Sequence, residues 1–338
     1  MSKTFLFLRD PALHGLMRPA AEALRAEGHR ILFAKRKLRW GDAANNTVPV
    51  SPAILALANV IIGGPGSPVS RAMVAAAPNL EALVAVAAGC DAFDVPWATE
   101  QGIVVAHGAT QEQYDSMAEG TIALMLALLY RLPWAERSLH TGWQGEVPRP
   151  GWMLQDKTVG LIGYGPIARG VAQRLAGWGV RLIAWTRSRS AGECDGDVTF
   201  RTREDVLAES DILSIHLRHV PETDRLLDAA ALGLMKPSAV IVNTARGAVI
   251  DEAAMAAMLS EGRLAGAALD AFALEPLAAD SPLRKLHNVV LTPHNIGHTS
   301  ELLGSVRDAL IENLRRIARR ETPIIVKNPE VLSRWLNG

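Results

Sequence analysis

The stretch Val159-Gly160-Leu161-Ile162-Gly163-Tyr164-Gly165-Pro166-Ile167-Ala168 decides the fold. It reads as an apolar strand, a glycine turn and the first turn of a helix. Gly163 permits the tight turn, and Gly165 leaves room for a backbone to approach a pyrophosphate. The helix that follows offers free N–H groups and the positive end of its dipole to phosphate oxygens. Ala168 stands at the third small position, which the looser form of this fingerprint accepts. The alternative is a tight turn in a sheet that binds nothing. The strand before the glycines and the amphipathic run after them favour a dinucleotide site.

Working outward, short β-branched runs alternate with helical ones along the whole chain. Strands are expected at 4–8, 30–33, 60–62, 82–86, 103–106, 158–162, 180–185, 212–216, 239–243, 266–269 and 289–291, with helices at 19–27, 70–76 and 167–178 among those between them. Continuous apolar strands separated by helices indicate parallel sheets covered on both faces. The chain has 338 residues, and at about 150 per domain that suggests two domains. The restart at 158 places two βα arrays end to end.

Apolar residues make up 49% of the chain and charged residues 21%, which excludes disorder over most of it. Lys plus Arg equals Asp plus Glu at 35 each, so there is no basic excess of the kind a general nucleic-acid binder carries. Two cysteines, Cys90 and Cys194, cannot build a disulfide framework or a cysteine-rich metal site, and no metal is expected. The N-terminus lacks a secretory pattern, and the longest apolar stretch, 122–130, is far below the ~20 residues that span a bilayer. A soluble, cytoplasmic protein without membrane or nucleic-acid partners is expected.

Segment 131–156 breaks the rhythm with Pro133, Pro148 and Pro150 among Trp134, Trp143 and Trp152, and reads as irregular. The helix before it, 113–130, is apolar almost all round in its second half and demands burial on every side. It is either a central core helix or part of a subunit interface, with the Trp-rich segment as an arm over a partner.

The strand at 180–185 ends in Thr186-Arg187-Ser188-Arg189. A site for NAD places Asp or Glu about 20 residues past the glycines to hold the ribose 2′-hydroxyl. No acid stands there. Two guanidiniums and two hydroxyls suit a 2′-phosphate instead, so NADP(H) is the expected cofactor, with NAD possible. A solvated basic loop is the competing reading.

Three further motifs each close a strand, where open parallel sheets bind ligands. They are Asn243-Thr-Ala-Arg246-Gly247, Asp270-Ala-Phe-Ala-Leu-Glu275-Pro276 and Thr292-Pro-His294. Reducing a 2-keto acid requires a cation for its carboxylate and carbonyl and an acid for the developing alkoxide. Arg246 suits the first by bidentate contact. His294 suits the second, and Glu275 can orient the ring and hold its proton in place. Asp270 is expected near the nicotinamide, accepting from its carboxamide. Singly, each residue has a structural reading as a turn, cap or solvated group; their order behind a dinucleotide fingerprint joins them.

With these motifs over nearly its whole length, the sequence resembles the D-isomer-specific 2-hydroxyacid dehydrogenases. The resemblance implies Arg246, Glu275 and His294 as catalytic residues. It implies a substrate-carboxylate loop at Val86-Ala-Ala88-Gly89-Cys90-Asp91, with Ala88, Gly89 and Arg246 binding substrate. The implied cofactor set is Gly163, Tyr164, Gly165, Pro166, Ile167, Thr186, Arg187, Ser188, Arg189, Thr223, Thr244, Ala245 and Asp270. It further implies a central Rossmann cofactor domain at 107–296 and a discontinuous flavodoxin-like substrate domain from 1–106 and 297–338. A homodimer built on the cofactor domain follows as well. Substrate-facing side chains are expected near 65–68, 88–90 and 107–114.

The Thr186-Arg187 pair is similar to the NADP-preferring glyoxylate and hydroxypyruvate reductases. Departures are His107, where the family often has Asn, and Arg218 in place of a usual Pro beside His219. His107 is either in the substrate site or a satisfied loop histidine; Arg218 and His219 are either near the cofactor phosphates or solvated. Formate-oxidising relatives carry Gln where Glu275 stands, which favours hydroxyacid chemistry here. The competing functions are a dinucleotide-sensing interaction protein on the same fold and a phosphite-type dehydrogenase.

Overall fold

The computed structural model describes residues 2–8, 13–34, 50–64, 67–142 and 150–337. Trp143 and Pro148 of the proline-rich segment, and Pro65 and Gly66 of the expected pocket loop, lie outside the described residues. The chain forms two compact units, residues 1–113 with 299–338 and residues 114–298.

The first unit runs β1 (Thr4–Phe7), α1 (His14–Ala26), β2 (Arg30–Phe33), α2 (Pro52–Leu55), β3 (Val60–Gly63), α3 (Arg71–Ala75), β4 (Ala82–Ala85), α4 (Val95–Glu100) and β5 (Val104–His107). Helix α5 (Gln111–Leu129) carries the chain into the second unit. There follow α6 (Leu132–His140), β6 (Thr158–Ile162), α7 (Pro166–Leu175), β7 (Arg181–Trp185), β8 (Cys194–Asp195), β9 (Val198–Phe200), α8 (Arg203–Glu209) and β10 (Ile212–Ile215). The unit closes with α9 (Ala229–Leu232), β11 (Val240–Asn243), α10 (Glu252–Ser260), β12 (Gly266–Leu269) and β13 (Val289–Leu291). Helices α11 (Ser300–Arg319) and α12 (Leu332–Asn337) return to the first unit.

The first sheet has the parallel order β2-β1-β3-β4-β5, the flavodoxin-like arrangement. Its strands are apolar on both faces because each face meets helices. Phe5, Phe7, Val60 and Ile62 pack with α1 and α11, while Leu6, Ile61, Leu83 and Val105 pack with Leu55, Met73 and Ala98. The period of two that separates these sets is that of a strand.

The second sheet has the order β13-β12-β11-β10-β6-β7-β9-β8, with only the β8–β9 pair antiparallel. Within it β9-β7-β6-β10-β11-β12 is the Rossmann order, and strand order reverses between β6 and β10. Val159, Leu161, Val240 and Val242 face α5 and α7; Ile162, Leu213, Ile215 and Ile241 face the side covered by α8 and α10.

Three elements depart from the sequence reading. Segment 131–156 contains helix α6, because Pro133 sits in its first turn, where a missing N–H costs no hydrogen bond. The short pair β8–β9 escaped notice, since two or three half-polar residues carry no period. In α5, Ala123 stays exposed and Leu126 and Ala127 are half-buried, so this helix keeps an accessible stripe.

Candidate active site

The first βα turn is shaped for a pyrophosphate. Gly163 has φ +92°, and a Cβ there would lie 2.8 Å from the His216 carbonyl oxygen. Glycine therefore allows both the left-handed backbone and the close approach of the strand-order reversal point. At Gly165 a Cβ would meet nothing within 4 Å, so space opens before the N-terminus of α7. Gly165 is the N-cap and supplies no side chain, and Pro166 follows it in the first turn. The N–H groups behind Pro166, beginning with Ile167, are left for an anion. The fit is that of a dinucleotide pyrophosphate. Tyr164 packs edge-on against Phe200 at 5.0 Å. Burial, with Asp195 beside it, pushes the Tyr164 phenol upward.

The loop after β7 places Thr186 half-buried and Arg187, Ser188 and Arg189 exposed. One feature was not legible locally. Glu193 folds back so that its carboxylate accepts from Arg189 at 3.1 Å and from the Ser190 N–H at 2.9 Å. These bonds hold the Glu193 carboxyl below its usual range, the Ser190 N–H contributing most. Arg187 has no ion pair among the described residues, so the two arginines are not equivalent. The i,i+4 spacing of Arg189 and Glu193 is the signal that would have found this pair.

Across the reversal point, Thr223 is buried and turned into its own loop. Its hydroxyl donates to the Arg218 carbonyl at 2.7 Å and accepts from the Val220 N–H at 2.9 Å. Arg218 is exposed, and His219 pairs with Asp224 at 2.9 Å.

The carboxyl ends of β11, β12 and β13 carry the remaining residues. Asn243 is fully buried and closes the turn that bears Arg246. Its Oδ1 accepts from the Ala245 N–H at 3.0 Å, and its Nδ2 donates to the Arg246 carbonyl at 3.0 Å. The Arg246 guanidinium donates to the Ala245 carbonyl at 2.7 Å. At Gly247 a Cβ would lie 1.9 Å from the Phe272 carbonyl carbon, so only glycine lets this turn rest on the 272–273 backbone. That contact brings the Arg246 turn against the loop of Glu275, whose bond to Pro276 is cis.

Glu275 and His294 form one unit. Both carboxylate oxygens stand 2.8 Å from His294 Nδ1, and Oε1 also accepts from the Phe272 N–H at 3.0 Å. Burial opposes ionisation of Glu275. The His294 hydrogen bond and charge, the Phe272 N–H and the Arg246 field outweigh it, and its carboxyl stays below the ordinary range. Glu275 bonds the ring through Nδ1, and Nε2 is the other ring nitrogen. His294 has φ +53°, a left-handed conformation uncommon for a side-chain-bearing residue.

Asp270, 1% exposed, underlies the His294 loop. Its Oδ1 accepts from the Thr292 hydroxyl at 2.7 Å and from the Asn295 and Ile296 N–H groups at 3.0 and 3.2 Å. These bonds place it as a brace for that loop. Thr244 is likewise buried, with its hydroxyl 2.9 Å from that of Thr121.

In the first unit, the loop after β4 holds Ala88 and Gly89 half-buried and Cys90 buried. His107 Nδ1 accepts from the Ala109 N–H at 3.3 Å, and burial, aided by Lys327, pushes its pKa down to about 4. The ring is therefore held neutral, with Nδ1 bonded within its own loop.

Several known proteins are similar to this chain. Residues 122–295 match the family described as D-isomer specific 2-hydroxyacid dehydrogenase, NAD binding domain. A glyoxylate reductase of Thermofilum pendens is 36% identical over 263 residues, 76% of this chain and 77% of that protein. A D-3-phosphoglycerate dehydrogenase of Mycobacterium bovis is 35% identical over 285 residues, and there the chain spans 52% of the relative's length. Among solved structures, the NADPH-dependent glyoxylate/hydroxypyruvate reductase of Sinorhizobium meliloti, in complex with NADP and malonate, superposes with a TM-score of 0.82. It is 26% identical, over 96% of this chain and 97% of that one. No helix among the described residues is long and apolar enough to cross a membrane.

Proposed function

We propose, for a chain that belongs to the D-isomer-specific 2-hydroxyacid dehydrogenases, that it reduces a small 2-keto acid with NADPH. Glyoxylate and hydroxypyruvate are the leading substrates, as in the relatives named above. The observation that carries the reading is the His294–Glu275 pair beside the Arg246 turn.

When bound, NADPH would supply the hydride that reduces the carbonyl carbon. Arg246 engages the substrate's carboxylate and carbonyl oxygen, with a planar fork that matches both. Negative charge grows on that oxygen, and Arg246 stabilises it while His294 Nε2 delivers a proton. Glu275 remains ionised, fixes the ring through Nδ1 and stabilises the protonated imidazole. The test is a panel of 2-keto acids with NADPH and with NADH; a flat trace with every member removes the proposal.

The missing acid after β7 supports NADPH over NADH, as does Arg187, which has no ion pair among the described residues. Arg187→Ala is expected to lower the NADPH-over-NADH ratio of kcat/KM by ~10-fold or more, the range of a charge-assisted phosphate contact. Arg189→Ala lowers it less, because Glu193 already shares that guanidinium. Glu193→Gln raises the ratio. Equal losses from both arginine variants would contradict this division.

A homodimer is the proposed assembly. Tyr130, Leu132, Leu139, Trp152 and Met153 are exposed apolar side chains, and the Trp152 N–H bonds the Leu129 carbonyl at 3.0 Å, which gathers several of them at the end of α5. Such exposure marks an association surface. Light scattering is expected to give twice the monomer mass; a monomer at working concentration excludes it.

A further inference from the structure

Helix α5 carries Ser116, Gly120 and Thr121 on its buried side. Ser116 and Thr121 are buried, at 6% and 0% exposed. At 3.6 residues per turn, Ser116, Gly120, Met117 and Thr121 share an arc of about 140°. Propensity does not explain hydroxyls there, since buried ones cost stability unless bonded.

Each element of this arc meets a loop of the active site. Ser116 Oγ donates to the Gly297 carbonyl at 2.7 Å, three residues beyond His294. A Cβ on Gly297 would lie 2.3 Å from Met117 Sδ, and one on Gly120 would lie 3.0 Å from the Ile296 carbonyl oxygen. The helix and the 296–297 backbone are therefore in close contact. On the other edge, Thr121 Oγ1 lies 2.7 Å from the Met117 carbonyl and 2.9 Å from Thr244 Oγ1. A carbonyl cannot donate, so the single Thr121 proton goes to Met117. The proton between the two threonines must then come from Thr244. The relay runs in one direction, Thr244 to Thr121 to Met117, and ties the backbone two residues before Arg246 to the helix.

We infer that Ser116 and Thr121 are positioning residues: α5 sets the separation of the substrate-binding Arg246 turn and the proton-delivering His294 loop. Neither touches substrate or cofactor. Each fixes the backbone that carries a group which does. Asp270 holds the His294 loop from beneath, and Ser116 fixes its far end against the helix. The inference rests on the roles proposed above for Arg246 and His294.

Because the two hydroxyls serve different loops, their loss has different kinetic signatures. Ser116→Ala is expected to lower kcat by ~10- to 100-fold with little change in KM for the keto acid, the cost of misplacing a catalytic group by up to about 1 Å. Thr121→Val keeps the shape, removes the hydroxyl and strands that of Thr244. It is expected to raise KM for the keto acid by about 10-fold, a contact weakened by ~1.4 kcal/mol. Thr121→Ser restores the relay and wild-type KM. Variants that lose melting temperature but keep wild-type kcat and KM overturn the inference, as does failure of Thr121→Ser to rescue. If the wild type reduces no keto acid, the proposed function fails instead. The imidazole resonances of His294, followed by NMR in wild type and Ser116→Ala, then decide: an unchanged spectrum overturns the inference and a displaced or broadened signal supports it.

Discussion

In the His294→Ala variant, kcat for keto-acid reduction is expected to fall by ~10²–10⁴-fold, the usual contribution of a positioned proton donor. Affinity for NADPH should stay near wild type, because the pyrophosphate turn at Gly163 and Gly165 and the loop at Arg187 belong to other elements. Steady-state kinetics at saturating cofactor measure it, and turnover within about threefold of wild type would remove His294 from the proton-delivery role. A second consequence concerns Glu275. In the wild type its carboxyl is held low, so its contribution to stability is present above the ordinary carboxylate value of ~4.3 and lost as pH falls through the lower folded value. Without His294, burial faces only the Phe272 N–H and Arg246, and the Glu275 pKa rises relative to wild type. Should it pass the unfolded value, the sign reverses: the contribution is then present at low pH and lost as pH rises through the folded value. Urea denaturation across the acid range should show the variant losing relative stability as pH rises. Parallel pH profiles for the two proteins would deny that His294 holds this carboxylate down.

Gly247→Ala is expected to be the most disruptive small substitution in the active site. Its new Cβ would lie 1.9 Å from the Phe272 carbonyl carbon and 2.2 Å from the Ala273 nitrogen. Both are backbone atoms, so no side chain can swing away. Relief requires separating the Arg246 turn from the Glu275 loop, with Phe272 and Val249 repacked beneath them. Overpacking in a dense core costs ~1–3 kcal/mol even where side chains can move, and a backbone clash belongs at or above the upper end. A melting-temperature drop of several degrees should accompany loss of activity. A fully folded, fully active Gly247→Ala protein would show that the two loops do not depend on this contact.

Much of the molecule was legible because it is local. Eleven of the strands announce themselves as apolar runs between turn signals. The Gly163 turn, the order of Arg246, Glu275 and His294, and the missing acid near Arg187 are all short-range patterns. The flavodoxin-like and Rossmann fold types came with the family resemblance that those motifs carry, and the strand order came from the structure. The candidate site was legible as residue types at strand ends, since a parallel sheet gathers its carboxyl termini on one edge.

What the sequence determined by itself, then, is which residue types stand at which strand ends. What only the tertiary structure decided is which partner each of them keeps. Asp270 stands among the expected cofactor residues, and its Oδ1 accepts from the Thr292, Asn295 and Ile296 donors. Thr223 and Thr244 stood among the cofactor-binding residues, and their hydroxyls turn into a loop and onto α5. Two arginines looked equal until Glu193 folded onto one of them. Ser116 and Thr121 carried no signal, because hydroxyls in a helix mean nothing until the loops they hold come into view. Local periodicity is set by backbone geometry a few residues long. Hydrogen-bond partners are set by which segments the packed core brings within about 3 Å, and that is a property of the whole chain.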